Sequence, residues 1–256
     1  MELSIFEAPK LKIKRAQKHI AELQREVTRF IAGNPYRVVV ERDRKTLDDL
    51  FVIRVQDQIP NDFPAIIGDA IHNLRAALDL LACDLVRVNG GDVEDVYFPF
   101  CRNEKDFENT IKQQHIDRAS PDVVDLFRSL EPYHGGNDAL RAIHDLDISD
   151  KHKILHPVFY FTGLPNCLIA RRDGSPFFSM TNCWIGPIKD GFTIFRFPGR
   201  IMQGVKIDQQ IKGTFEITFG DGQAFHGQSV IPTLHQLAGL VDAIVKTFET
   251  HYLLSD

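Results

Sequence analysis

No other stretch constrains the chain as tightly as Phe63 to Val88. Ile67, Ile71, Leu74, Leu78, Leu81, Leu85 and Val88 recur at alternating three- and four-residue steps. On a helix advancing about 100° per residue this makes one continuous apolar seam. Ala70, Ala77, Ala82, Cys83 and Val86 widen it well beyond a single stripe. A helix apolar over most of its circumference is stable only when other elements cover it, so this segment is expected inside a packed layer. Asn89-Gly90-Gly91 ends it, glycine being suited to the C-terminal cap.

The remaining chain supplies candidates for that cover. From Pro9 to Ala32, the residues Ile13, Ala16, Ile20, Leu23, Val27 and Phe30 form one stripe, stopped by Gly33-Asn34-Pro35. Tyr36–Arg42 and Asp49–Gln58 are rich in Val, Ile and Phe and read as a hairpin around the polar DRKTL. Shorter helices are expected at 104–114 and 121–130, and a clearer one from Asn137 to about Leu155. Beyond His156, short apolar segments alternate with Gly, Pro, Asn and Asp, as antiparallel strands and turns do. A helix over 232–252 repeats the stripe of the first. The expected class is α+β: a helical layer around the long buried helix (63–88), packed on an antiparallel β-sheet. Strands from near both ends can join one sheet, so 1–256 reads as a single domain. It is mostly helical over 1–155, mostly strands over 156–222, and closed by the last helix.

Composition narrows the function classes. With 43% hydrophobic and 25% charged residues the chain is neither disordered nor fibrous. A net charge of −5 disfavours a dedicated duplex-DNA binder. Cys83, Cys101, Cys167 and Cys183 show no C-x-x-C spacing, which argues against a zinc knuckle or dithiol motif and for reduced thiols in a cytoplasm. No apolar run approaches the ~20 residues that span a bilayer, and MELSIFEAPKLKIKR lacks the pattern of a secretory signal. A cytoplasmic location without a membrane partner is expected.

The chemistry concentrates on two helices. On the central helix, His72, Arg75 and Asp79 share one flank beside the seam, with Arg75 and Asp79 one turn apart. In the Asn137–Leu155 helix, Leu140, Ile143 and Ile154 define the face to be buried, yet His144, Asp147 and Lys151 fall on it, with Asp150 at its edge. An unpartnered charge taken from water costs several kcal/mol, so these groups must pair or border a wet cleft. The two polar faces are therefore expected to meet, Arg75 pairing with Asp147 or Asp79 and Lys151 with Asp150 or Asp79. The cluster is either an internal network fixing helix register or a site for acid–base work or anion binding. His72, Asp79, His144 and Asp147 include metal-ligand types, but no E-x-x-H pair occurs and Arg75 and Lys151 would repel a cation, so neither a metal nor a cofactor is expected.

Other features have plainer explanations. Lys10, Lys12, Lys14, Arg15 and Lys18 read as the solvated face of the first helix. Gly135-Gly136 and Gly220-Asp221-Gly222 lack the setting of a phosphate loop. His144-Asp145 is not a functional dipeptide, since the two side chains diverge by about 100° on a helix. Phe177, Phe178, Trp184, Phe192, Phe195 and Phe197 are expected to be core.

Three elements, GDAIHNLRAALDLL (68–81), Phe98-Pro99-Phe100 and LDISDKH (146–152), resemble a group of uncharacterised bacterial proteins carrying H-N-L-R-x-x-L-D and D-K-H. That resemblance implies no activity, but draws attention to His72, Arg75, Asp79, Asp150, Lys151 and His152. The central helix also resembles the HEPN superfamily of helical bundles, which implies a metal-independent ribonuclease with Arg and His separated by four to six intervening residues at a dimer interface. Arg75 matches, but Leu80 stands where the His would be; Arg128–His134 has the spacing, with Pro132 intervening. Two functions follow. One is a non-catalytic binding or scaffold protein with a buried His/Arg/Asp/Lys cluster, the reading toward which the sequence leans. The other is a HEPN-like ribonuclease or nucleotide-handling enzyme, with RNA or nucleotide as partner, a homodimer being compatible, and His72 or His144 as the acid–base group.

Overall fold

The computed structural model describes residues 4–152, 155–163, 167–171, 176–180, 185–200, 205–206 and 214–255. Ile154, Cys183 and Trp184 lie outside them. The fold is α+β, with six α-helices and antiparallel strand pairs among the described residues. The helices are α1 (Glu7–Ala32), α2 (Asp62–Val88), α3 (Phe107–Gln113), α4 (Pro121–Ser129), α5 (Asp138–His152) and α6 (Val230–Ser255). The strands are β1 (Tyr36–Arg42), β2 (Asp48–Val55), β3 (Pro157–Gly163), β4 (Cys167–Arg171), β5 (Pro176–Met180), β6 (Ile185–Pro187), β7 (Thr193–Pro198), β8 (Val205–Lys206) and β9 (Thr214–Phe219). Contacts gather into two compact units: residues 1–24, 62–156 and 219–256 in one, 25–61 and 157–218 in the other.

The first unit is helical. Helix α2 packs against α5 and α6, and α5 against α6. The seam of α2 is fully buried from Ile67 to Leu85, and Ala70, Ala77, Ala82 and Val86 are buried with it. At its end Gly90 takes a left-handed φ of +74°, and the Gly91 N–H reaches back to the Val86 carbonyl at 3.0 Å. The chain then returns along α2 in extended form: Val96, Phe98 and Phe100 are buried, while Tyr97 between them is half exposed. Phe98 meets Phe100 (4.8 Å between ring centres) and Phe127 (5.5 Å), and Phe127 meets Phe248 of α6 (4.8 Å). Burying each such ring stabilises the unit by roughly 1.5–3 kcal/mol. Just before helix α1, Phe6 is in a left-handed conformation and its N–H donates to the buried Asp84 of α2 at 3.2 Å. The basic run of α1 is largely solvated, with Lys10 on Glu249 at 2.5 Å.

In the second unit β1 and β2 form the expected hairpin, Tyr36 opposite Val55 and Arg42 opposite Asp49. Strand β7, from far along the chain, pairs with β2 in the same sheet, so strands from near both ends do meet. The later strands are short, and the described strands make three three-stranded sheets rather than one: β1-β2-β7, β6-β3-β9 and β5-β4-β8. Phe195 and Phe197 pack on the buried Phe51, whereas Phe192 is exposed, against the expectation of core. It lies just before the first residue of β7, where its carbonyl accepts the Ile53 N–H at 2.9 Å while its side chain stays in solvent. Among the described residues no helix is long and apolar enough to cross a membrane.

Candidate functional site

Helices α2 and α5 meet through their polar flanks. His72, Arg75, Asp79, His144, Asp147 and Lys151 all line one open cleft of about 230 Å³, together with Ala76, Tyr97 and Ile148. The close approach depends on Gly68: a Cβ there would collide with the Asp150 carboxylate.

Asp147 organises one end of the cleft. It is 3% exposed and holds two cationic or titratable partners that are largely in solvent. His72 Nδ1 lies 3.0 Å from Oδ1, and Lys151 Nζ donates to Oδ2 at 2.6 Å; their side chains are 55% and 51% exposed. Burial opposes the charge on Asp147, but the bonds from Lys151 and His72 outweigh it and hold the carboxyl below its ordinary range. An ionised carboxylate only accepts, so the hydrogen of His72 sits on Nδ1 and Nε2 is left with its lone pair when the ring is neutral.

Arg75 and Asp79 pair at the other end. Asp79 also accepts the Phe98 N–H at 2.9 Å, which ties the extended segment to α2. The Arg75 guanidinium lies 4.6 Å from the centre of the Phe100 ring. His144 stacks on the same ring, 5.2 Å between centres. Burial first, then the charges of Arg141 and Arg75, lower the His144 pKa to about 4, so it is neutral at pH 7. Its Nδ1 is buried with no protein partner. Asp150, just outside the cleft, is shifted the opposite way from Asp147: burial and the charges of Asp147 and Asp69 raise its pKa against a bond from the Leu155 N–H.

The six residues expected at the site share the cleft, but not as expected in every respect. Arg75 takes Asp79, one of its two anticipated partners. Lys151 takes Asp147, rather than Asp150 or Asp79, because Asp147 lies one turn away on its own helix. Nor is the cluster buried as a whole: only Asp147 is, while His72 and Lys151 stand in solvent because they rim an open cleft rather than a helix contact. Asp145 turns away to Arg141 at 2.8 Å. Arg128 closes on Glu108 and Asp125, and neither it nor His134 lines the cleft. Tyr97, Phe100 and Ile148 escaped sequence reasoning; Phe98-Pro99-Phe100 was the one available signal, and it marked a neighbour of the site without saying how.

Among the described residues no three His, Cys, Asp or Glu side chains are grouped so as to hold a metal ion. No protein-family model matches the chain, and no curated protein and no solved structure matches it.

Proposed function

We propose that the α2/α5 cleft is an acid–base site acting on a phosphodiester, with RNA the substrate to test first. The observation that carries this reading is the pairing of solvent-facing His72 with buried, ionised Asp147. It orients the ring and leaves Nε2 as a proton acceptor at the cleft. In RNA cleavage His72 would take the proton of the 2′-hydroxyl as that oxygen attacks phosphorus. The 5′-oxygen would leave with a proton from solvent. Lys151 and Arg75 lie where negative charge would develop, and half-exposed Tyr97 offers a ring at the mouth on which a base can stack.

A non-catalytic binding role is the second reading. It is favoured by the pairing of both lining cations with carboxylates of the cleft. The two separate in one assay: labelled single-stranded RNA is incubated with the purified chain, with and without chelator, and with His72→Ala and His144→Ala. The catalytic reading expects chelator-insensitive cleavage that falls at least 100-fold in His72→Ala. No cleavage, or cleavage unchanged in both variants, removes it.

A further inference from the structure

We infer that His144 is a hydrogen-bond donor to the ligand: its Nε2 carries the ring hydrogen and offers it to a ligand oxygen, because a buried water joins its Nδ1 to Arg141. This rests on the acid–base reading of the same site and deepens it, setting a donating histidine beside the accepting His72.

Two buried atoms carry the inference. Arg141 Nε and His144 Nδ1 are both shut away from solvent, and among the described residues neither has a protein hydrogen-bond partner. They stand three residues apart on α5, so the two side chains are neighbours on the helix surface. Arg141 is anchored there by its bond to Asp145 at 2.8 Å. Buried polar groups are satisfied by protein or by ordered water in the great majority of cases. A single water answers both atoms. A guanidinium only donates, so the water accepts from Arg141 Nε–H and turns a hydrogen of its own toward His144. The charges of Arg141 and Arg75 act in the same sense, since a lone pair faces a cation more favourably than an N–H does. Nδ1 is therefore the bare nitrogen. The ring is neutral at pH 7, so its one hydrogen lies on Nε2.

Phe100 fixes the plane of that ring. His144 is stacked on it, 28° between planes, while lining the cleft. With Nδ1 turned inward, Nε2 is the nitrogen left for the cleft. The other donors of the lining are already engaged: Arg75 is closed on Asp79, Lys151 on Asp147, and His72 spends its Nδ1–H on Asp147. The His144 N–H carries no charge and donates without a change of protonation. The two histidines thus present opposite faces, His72 a lone pair for a hydroxyl and His144 an N–H for an acceptor oxygen. A ribose phosphodiester supplies both in its 2′-hydroxyl and a non-bridging phosphoryl oxygen. A donor held in place in this way stabilises charge that grows on the phosphoryl oxygen during attack, and no proton leaves it. Arg141, acting through the water, is a positioning residue.

The test takes the full chain, isotope-labelled, and reads the imidazoles at pH 7 by long-range proton–nitrogen correlation. Expected is one His144 form with hydrogen on Nε2 and none on Nδ1, and in Arg141→Met the appearance of the Nδ1–H form. Hydrogen on Nδ1 in the wild type, a doubly protonated ring, or an unchanged form in Arg141→Met would overturn the inference. Dimethyl phosphate, added as the probe, should move the His144 Nε2–H resonance. Shifts elsewhere in the cleft that leave that resonance in place, or no shifts at all, would overturn the ligand contact. In RNA cleavage His144→Phe keeps the stack and removes the donor, and should lower kcat about 100-fold with KM nearly constant. His144→Gln, which sets an amide N–H near the same place, should recover most of that loss. A Phe variant as active as wild type, or a Gln variant no better than Phe, would count against the donor. RNA left uncut by a chain with the expected tautomer and a phosphate-sensitive Nε2–H defeats the catalytic reading alone. RNA cut through His72, and equally well by His144→Phe, defeats this inference alone.

Discussion

His144 is held neutral by burial and then by the two arginines beside it, and that has a consequence for stability. An imidazole with a folded pKa near 4, against 6.5 in the unfolded chain, binds fewer protons folded than unfolded between those values. Stability therefore rises with pH across that window: full above 6.5, lost progressively toward 4, by roughly 2–3 kcal/mol for this one group. Urea unfolding at pH 7 and pH 4.5 should show the loss, and His144→Phe should flatten it. An equal loss in wild type and His144→Phe would assign the acid sensitivity elsewhere. Asp147 works in the same direction at lower pH, since its lowered carboxyl pKa means that its contribution falls away only as pH drops below the ordinary aspartate range.

Elements show what periodicity can and cannot carry. Buried Asp84 holds the Phe6 N–H at one oxygen and Arg87 at the other, which fixes the start of α1 on α2. Asp84→Ala leaves that buried N–H unsatisfied and should cost about 1–3 kcal/mol, with hydrogen exchange accelerated first in the opening turn of α1. Unchanged exchange there would mean that the bond does not anchor the helix. Helix α2 is legible from end to end because its stripe repeats over about six turns and glycines mark its end. On α5, Asp147 is buried as its face predicts, while His144 is half-buried and Lys151 stands in solvent; Leu146 and Ala142 are buried too, which the few apolar residues of that stripe do not signal. Arg75–Asp79 and Lys151–Asp147 are both one-turn pairs, whereas Asp150, an expected partner of Lys151, lies about 100° round the helix from it. The His72–Asp147 contact depends on how two helices are rotated about their axes, and no spacing within either helix encodes that. Tyr97 and Phe100 come from an extended connection with no amphipathic period over which to recognise a face.

At the scale of the whole molecule, the two units are interleaved in sequence, each assembled from segments separated by the other's. The first depends on a continuous aromatic core through Phe98, Phe127 and Phe248. Phe127→Ala should destabilise it by about 3–5 kcal/mol. Native-state hydrogen exchange should then show protection lost across α2, α4 and α6 while the β1–β2 hairpin keeps its own. Equal loss in both would mean that they unfold as one cooperative body. The packing of α6 on α2 also imposes an order of events during synthesis. Translation adds about 5–20 residues per second, so α2 leaves the ribosome on the order of ten seconds before its last neighbour exists. Through that interval the strip that will hold the finished protein together is the part of the nascent chain most prone to stick to others.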